Sequence, residues 1–139
     1  MKIFLDTSVF IWAYNHPKSN SAQIFKLANN KQIEAAISEN VLIELKRYFG
    51  TYHDERTVYE VEALITEKYE IIPKQQIEAE MQKWHGKIKE KDLEHLATVK
   101  HLKIDTLVAF DRDYEPFPEY ITPKQFLKKL GIKTSETEY

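Results

Sequence analysis

The stretch Met1-Lys2-Ile3-Phe4-Leu5-Asp6-Thr7-Ser8-Val9-Phe10 decides the fold. A short apolar run stops at a carboxylate followed by two hydroxyls, which reads as a buried strand delivering Asp6 to a site. In open parallel α/β sheets, ligands bind outside the carboxyl ends of the strands, so an acid at that end is placed for chemistry. Its meaning depends on which other acids the chain brings to it.

The 139 residues suit one domain with a substantial core of Ile, Leu, Val and aromatic side chains. The polar end predicts a flexible tail over 133–139 behind a single domain of residues 1–132. The chain has no cysteine, which removes disulfides, thiolate metal sites and thiol nucleophiles and suits a reducing compartment. No apolar run approaches the roughly 18 residues of a membrane span, and the first residues lack a signal-peptide pattern. A soluble, cytoplasmic protein with no membrane partner is the expectation. The formal charge of -2 is no global nucleic-acid signature. If several acids gather in one metal pocket, however, the remaining surface is more basic than the sum, and a polyanionic substrate stays open.

Downstream of Asp6, Ser8 to Tyr14 predicts a short helix ended by Asn15-His16-Pro17, and Ser21 to Ala28 a second helix. Ile33 to Ile37 is the next strand. Ser38 then caps a helix in which Val41, Leu42, Leu45, Tyr48 and Phe49 recur with helical period, with Gly50 at the C-cap. Glu44 falls on the margin of that apolar stripe, where an unpaired acid is out of place unless it snorkels or is salt-bridged. Asp54 caps a further helix, and Tyr69 to Ile72 is a third strand closed by Pro73. Ile77, Met81, Trp84 and Ile88 then mark an amphipathic helix. Lys83, Lys87, Lys89 and Lys91 lie on its exposed side and the following turn, solvated or in contact with phosphate.

Lys91 to Lys100 begins another helix, with Asp92 in its first turn as a cap, a dipole partner or a ligand. Asp105-Thr-Leu-Val-Ala-Phe-Asp111 is the second strong strand that ends in an acid. Glu119 to Ile121 reads as an edge strand. Thr122-Pro-Lys-Gln125 opens a capped helix that Gly131 terminates. Short apolar strands alternating with amphipathic helices predict a three-layer α/β/α domain with a short, mainly parallel central sheet.

If the strands ending at Asp6 and Asp111 are neighbours, the roughly 4.8 Å strand spacing brings both carboxylates within reach of one cation. Glu44 and Asp92 could close the cluster. Four uncompensated carboxylates repel and raise one another's pKa, and a hard divalent ion is their natural compensation. Oxygen-rich ligation suits Mg2+ or Mn2+, and no histidine pair at zinc spacing is evident. With no G-x-S-x-G or P-loop motif, metal-assisted hydrolysis is the leading chemistry.

The residues Phe4-Leu-Asp-Thr-Ser-Val9, Ser38-Glu-Asn-Val-Leu-Ile-Glu-Leu45, Asp92-Leu-Glu-His-Leu-Ala-Thr98, Thr106-Leu-Val-Ala-Phe-Asp-Arg-Asp-Tyr114 and Ile121-Thr-Pro-Lys-Gln-Phe126 resemble the PIN-domain family, particularly its VapC-like ribonuclease toxins. The resemblance implies Asp6, Glu44, Asp92 and Asp111 as an acidic quartet that is both catalytic and metal-binding. Asp113 joins as an additional metal or water ligand, and Thr7, Ser8 and Arg112 orient ligand or substrate. Glu94 competes with Asp92 for the third position, and Glu39 with Glu44. The implied activity is metal-dependent hydrolysis of RNA with Mg2+ or Mn2+, as the toxin of a VapBC-type pair with a cognate antitoxin. PIN domains commonly form homodimers, and Trp12, Tyr14 and Phe25 are interface candidates unless they are core.

Other readings stay open. One is a PIN nuclease in RNA processing or decay, and another a noncatalytic RNA- or protein-binding module. A phosphoacceptor receiver domain would need a second acid beside Asp6 and a lysine after a late strand, which Asp6-Thr7 and Asp111-Arg112 fit poorly. A phosphatase with Asp-x-Asp is disfavoured by Ser8 at the second acid position.

Overall fold

The computed structural model describes residues 1–136 and Glu138. Its sheet has five strands, β1 (Lys2–Leu5), β2 (Glu34–Ser38), β3 (Glu70–Ile72), β4 (Leu107–Val108) and β5 (Tyr120–Ile121). They lie in the order β3-β2-β1-β4-β5, and every pairing is parallel. The opening stretch is therefore the central strand. Phe4 stands opposite Ala36 on one side and Leu107 on the other. Ile3, Phe4 and Leu5 are buried, as continuous apolar strands covered on both faces must be.

Among the described residues, seven α-helices connect and cover the strands. α1 (Thr7–Asn15) and α2 (Asn20–Asn29) join β1 to β2, and α3 (Glu39–Tyr52) and α4 (Glu55–Lys68) join β2 to β3. α5 (Glu78–Trp84) and α6 (Glu90–Leu102) join β3 to β4, and α7 (Pro123–Lys129) follows β5. The chain steps one way from β1 to β3 and then returns past two strands to β4. Right-handed crossovers consequently place α1 to α4 on one face and α5 and α6 on the other, giving the expected three layers. The direction of strand progression reverses between β1 and β4. That is the topological switch point, whose crevice lies beyond the strands' carboxyl ends.

The capping chemistry is local. Ser38 accepts from the Val41 N–H, Asp54 from the Thr57 N–H, and Thr122 and Gln125 form a reciprocal capping box with Pro123 at the first helical position. No helix among the described residues is long and apolar enough to cross a membrane.

Several local expectations shift. Gly50 lies inside α3, which runs on to Tyr52 with His53 as its C-cap, because the helix continues to pack against α4. The segment from Ile77 to Ile88 is not one helix. After Pro73 the chain makes a 3-10 turn over Lys74–Ile77, α5 stops at Trp84, and Gly86 at φ +81° turns the chain so that Ile88 packs on the core from a loop. Of the strand expected over Asp105 to Asp111, β4 covers Leu107 and Val108; the Ala109 N–H still donates to the Ile121 carbonyl (3.1 Å), and the chain then carries Asp111 into the crevice. In the segment expected to be a flexible tail, the Ser135 N–H donates to Asn20 Oδ1 (2.7 Å), Lys124 Nζ pairs with Glu136 (2.8 Å), and the Ser21 N–H donates to Glu138 (2.9 Å). Thr137 and Tyr139 lie outside the described residues.

Candidate metal centre

Pairing of β1 with β4 brings Asp6 and Asp111 to one end of the sheet. Asp6 follows β1 directly, and its N–H donates to the Val108 carbonyl (3.0 Å). It also caps α1: Oδ2 accepts from the Ser8 N–H (3.3 Å) and the Ser8 hydroxyl (2.8 Å). Asp111 opens a 3-10 turn over Arg112–Tyr114, where its Oδ1 accepts from the Asp113 N–H (2.8 Å). Its Oδ2 lies 3.2 Å from Lys91 Nζ.

Glu44 arrives from α3, and Asp92 from the first turn of α6. Asp6, Thr7, Ser8, Glu44, Asp92 and Asp111 line one cleft of about 410 Å³, together with Ile11, Lys91, His95 and Phe110. A larger number of apolar side chains line a separate depression of about 240 Å³ among α1, α2, α3 and α4, away from these acids. Within the acidic region, Asp92, Asp111 and Asp113 offer ligand atoms that all lie within 4.8 Å of one another. Asp113 Oδ2 also pairs with Lys89 (3.0 Å).

The other residues singled out in the sequence sit elsewhere. Glu94 points to the start of α3, where its Oε2 accepts from the Asn40 N–H (2.8 Å). Glu39 accepts from the Lys74 N–H (3.3 Å), and neither acid is among the cleft's lining residues. Arg112 is exposed and faces Glu115 (3.9 Å).

Two residues in contact with these acids were not singled out from the sequence: His95, which lines the cleft, and Tyr114, buried behind it. His95, 2% exposed, has Nε2 at 2.9 Å from Glu44 Oε1 and 3.8 Å from Asp6 Oδ1, with Nδ1 at 2.8 Å from the Ser38 hydroxyl. Its spacing of three from Asp92 puts both on one face of α6, and that was the available signal. Tyr114 is buried, with its hydroxyl 3.3 Å from Asp92 Oδ1 and 3.4 Å from Asp6 Oδ1. A phenol has one hydrogen to donate, so it bridges two carboxylates but satisfies one at a time. Nothing in its local sequence marks that role.

The electrostatics follow from this crowding. Burial first, and then the charges of Asp111 and Asp6, push the Asp92 carboxyl above the usual carboxylate range against the opposing pull of Lys91. Burial would also raise Glu44, but the hydrogen bond and charge of His95, the Thr7 hydroxyl and Arg47 together hold it below that range. For His95, burial alone would lower the imidazole, and the Glu44 bond with the charges of Asp6, Glu44 and Asp92 raises it instead. Burial pulls Asp111 upward too, yet the Asp113 N–H and Lys91 leave it lowered. Burial, reinforced by Asp6 and Asp92, pushes the Tyr114 phenol far up, so it stays a donor.

The donor set fits a hard divalent cation. Asp92 Oδ2 is buried and has no hydrogen-bond partner among the described residues, an arrangement that is costly for a carboxylate unless a cation meets it. The ligand atoms offered by Asp92, Asp111 and Asp113 are all carboxylate oxygens, as Mg2+ and Mn2+ prefer.

The sequence profile described as PIN domain matches residues 3–120. Comparison with curated proteins finds no match. A chain of a toxin–antitoxin complex from Klebsiella pneumoniae is 20% identical with a TM-score of 0.68, over 87% of this chain and 97% of that one. VapC20 of Mycobacterium tuberculosis, described as a sarcin-ricin loop cleaving toxin, is 20% identical with a TM-score of 0.63, over 82% of this chain and 93% of that one. A chain of VapBC-1 from nontypeable Haemophilus influenzae is 19% identical with a TM-score of 0.61, over 97% of each. At these identities the likeness is one of fold.

Proposed function

The chain belongs to the PIN-domain family, and from that premise we propose that it is a metal-dependent ribonuclease, the toxin of a VapBC-type toxin–antitoxin pair. It hydrolyses RNA phosphodiester bonds with Mg2+ or Mn2+. The observation that carries this reading is the orphaned Asp92 Oδ2, beside carboxylates spaced for one cation in a cleft that Asp6 and Glu44 also line.

Asp6, Glu44, Asp92 and Asp111 are the catalytic acids. Asp6, Asp92, Asp111 and Asp113 would hold the cation, with Glu44 at the edge of the set. When bound, the ion would offset the charge of the scissile phosphate and lower the pKa of an attacking water. Glu44 Oε1 is engaged by Thr7 (2.9 Å) and His95 (2.9 Å), so Oε2 is the oxygen that would accept the water's proton. Ser8 holds Asp6, and Tyr114 keeps Asp6 and Asp92 on the same side of the cleft. Lys91 balances Asp111 in the metal-free cleft, and Arg112 on the exposed turn would meet a flanking phosphate.

A cognate antitoxin and a second copy of the chain are the proposed partners. The Klebsiella and Haemophilus chains of this fold come from toxin–antitoxin complexes. Trp12 and Tyr14 are exposed on α1, as an interface requires, whereas Phe25 packs inward against Phe10 and Tyr69.

The test is cleavage of a mixed RNA pool with Mg2+, Mn2+ or EDTA, comparing the parent chain with Asp6→Asn and Asp111→Asn. Cleavage in metal, lost in EDTA and reduced at least about 100-fold in both folded variants, is expected from removal of a metal-supplied term of several kcal/mol. Cleavage unchanged in either folded variant would sink the assignment.

A further inference from the structure

His95 lines the cleft nearly free of solvent, and its imidazole is given no role above beyond its contact with Glu44. Its ring joins three segments that each deliver an acid. It lies one turn after Asp92 on α6, and its Nε2 reaches Glu44 of α3 (2.9 Å). The oxygen it meets, Glu44 Oε1, is the one that also accepts from Thr7 (2.9 Å), the residue after Asp6. On the far side of the ring, Nδ1 meets the hydroxyl of Ser38 at the end of β2 (2.8 Å). Ser38 is itself immobilised, because the same oxygen caps α3 by accepting from the Val41 N–H (3.2 Å). Phe4 of β1 packs beside the imidazole, with ring centroids 5.7 Å apart.

Both ring nitrogens thus have partners, in the sheet layer and the cleft, and the ring is almost fully buried between them. Donation from Nε2 holds whether the imidazole is neutral or charged, because Nε2–H can be present in both forms. Glu44 is half-buried on the edge of an apolar helix face, and without His95 its three rotatable torsions would be restrained only by Thr7 (2.9 Å) and the longer contact from Asn40 Nδ2 (3.5 Å) on the same oxygen. Two strong donors on Oε1 leave Oε2 as the free acceptor of the carboxylate.

We propose that His95 is a positioning residue, braced by Ser38, that holds Glu44 by one oxygen so that the other is presented to the cleft. The inference rests on the ribonuclease reading of the site and adds to it the group that orients its fourth acid. It acts through Glu44, which it meets at 2.9 Å against 3.8 Å to Asp6 Oδ1, and it contacts neither substrate nor cation.

The test compares His95→Leu, which removes the donor, with His95→Gln, whose terminal amide can donate to Glu44. Each is made in the parent and in Glu44→Ala. Unfolding of the metal-free proteins establishes that the variants fold. Mn2+ binding without RNA is followed by calorimetry, and cleavage of the RNA pool gives kcat and KM. His95→Leu is expected to weaken Mn2+ binding or lower kcat by about 10–100-fold, the usual effect of losing a hydrogen bond that orients a ligand. KM for RNA stays close to the parent value, His95→Gln recovers most of the loss, and the same change in Glu44→Ala costs nothing further. Parent-like values in folded His95→Leu, no recovery in folded His95→Gln, or losses that multiply with Glu44→Ala overturn the proposal. If the parent cuts no RNA, the ribonuclease reading fails, and the Mn2+ cycle alone decides the role of His95.

Discussion

Lys91 Nζ lies 3.2 Å from Asp111 Oδ2, the carboxylate oxygen that the Asp113 N–H does not occupy, so an ammonium group sits on the side of Asp111 left open to a cation. The pair is anchored at the N-terminal turn of α6 and the 3-10 turn after β4, and the bond to Asp111, with the charge of Asp92, raises the Lys91 pKa. A cation bound through this oxygen would compete with the lysine. Lys91→Gln should therefore tighten Mn2+ binding. Because the lysine is exposed, the pair is worth about 1 kcal/mol or less, which caps the gain at about fivefold. Calorimetry on the metal-free protein reads it directly, and weaker binding in the variant would show that Lys91 supports the ligand set rather than competing with it.

Divalent metal should stabilise the fold. At a free concentration 100 times its Kd, Mg2+ or Mn2+ adds about 2.7 kcal/mol to the unfolding free energy, and EDTA removes it. Asp92→Asn should abolish most of that increment. Without metal, the variant should be no less stable than the parent, since it removes a carboxylate that burial and the charges of Asp111 and Asp6 already disfavour. Thermal melts of both proteins with and without metal check both halves of this expectation.

Glu94 and Asp92 share a helical turn but should separate cleanly in function. Glu94 Oε2 accepts the Asn40 N–H at the start of α3, so Glu94→Ala leaves a helix-end donor unpaired and should cost about 1–3 kcal/mol of stability. Asp92→Ala should instead strike metal binding and RNA cleavage. Equal loss of Mn2+ affinity in the two folded variants would contradict the division of labour drawn from their positions.

The capping box at α7 offers a check on the fold remote from the acids. Thr122 accepts from the Gln125 N–H (3.3 Å), and Gln125 accepts from the Thr122 N–H (3.1 Å). Thr122→Ala should lower stability by about 1 kcal/mol in urea unfolding and leave Mn2+ affinity at the parent value.

Much of this architecture is legible in the residue order. Ser38, Asp54 and Thr122 cap the helices that their positions announce, and the runs ending at Asp6 and Asp111 do pair as neighbours. The segment after Pro73 was less readable. The spacing of Ile77, Met81, Trp84 and Ile88 fits a helix equally well whether or not the backbone turns at Gly86, and periodicity does not sense a positive φ. Gly50 misled in the opposite direction, because packing between α3 and α4 carries the helix past a residue that ends many others.

By itself, then, the sequence determined the elements and where their acids stand along them. Hydrophobic period, caps and strand-terminal carboxylates are properties of a few consecutive residues. Only the tertiary structure decided which acids meet. Asp92 and Glu94 differ by two positions, about 200° around a helix, yet one enters the cleft and the other caps α3. His95, Tyr114 and Lys91 likewise acquire their partners across 51, 108 and 20 positions of chain. Those distances close only when β3 hands the chain back across the sheet to β4, a step that parallel strands and right-handed crossovers impose on the whole domain at once.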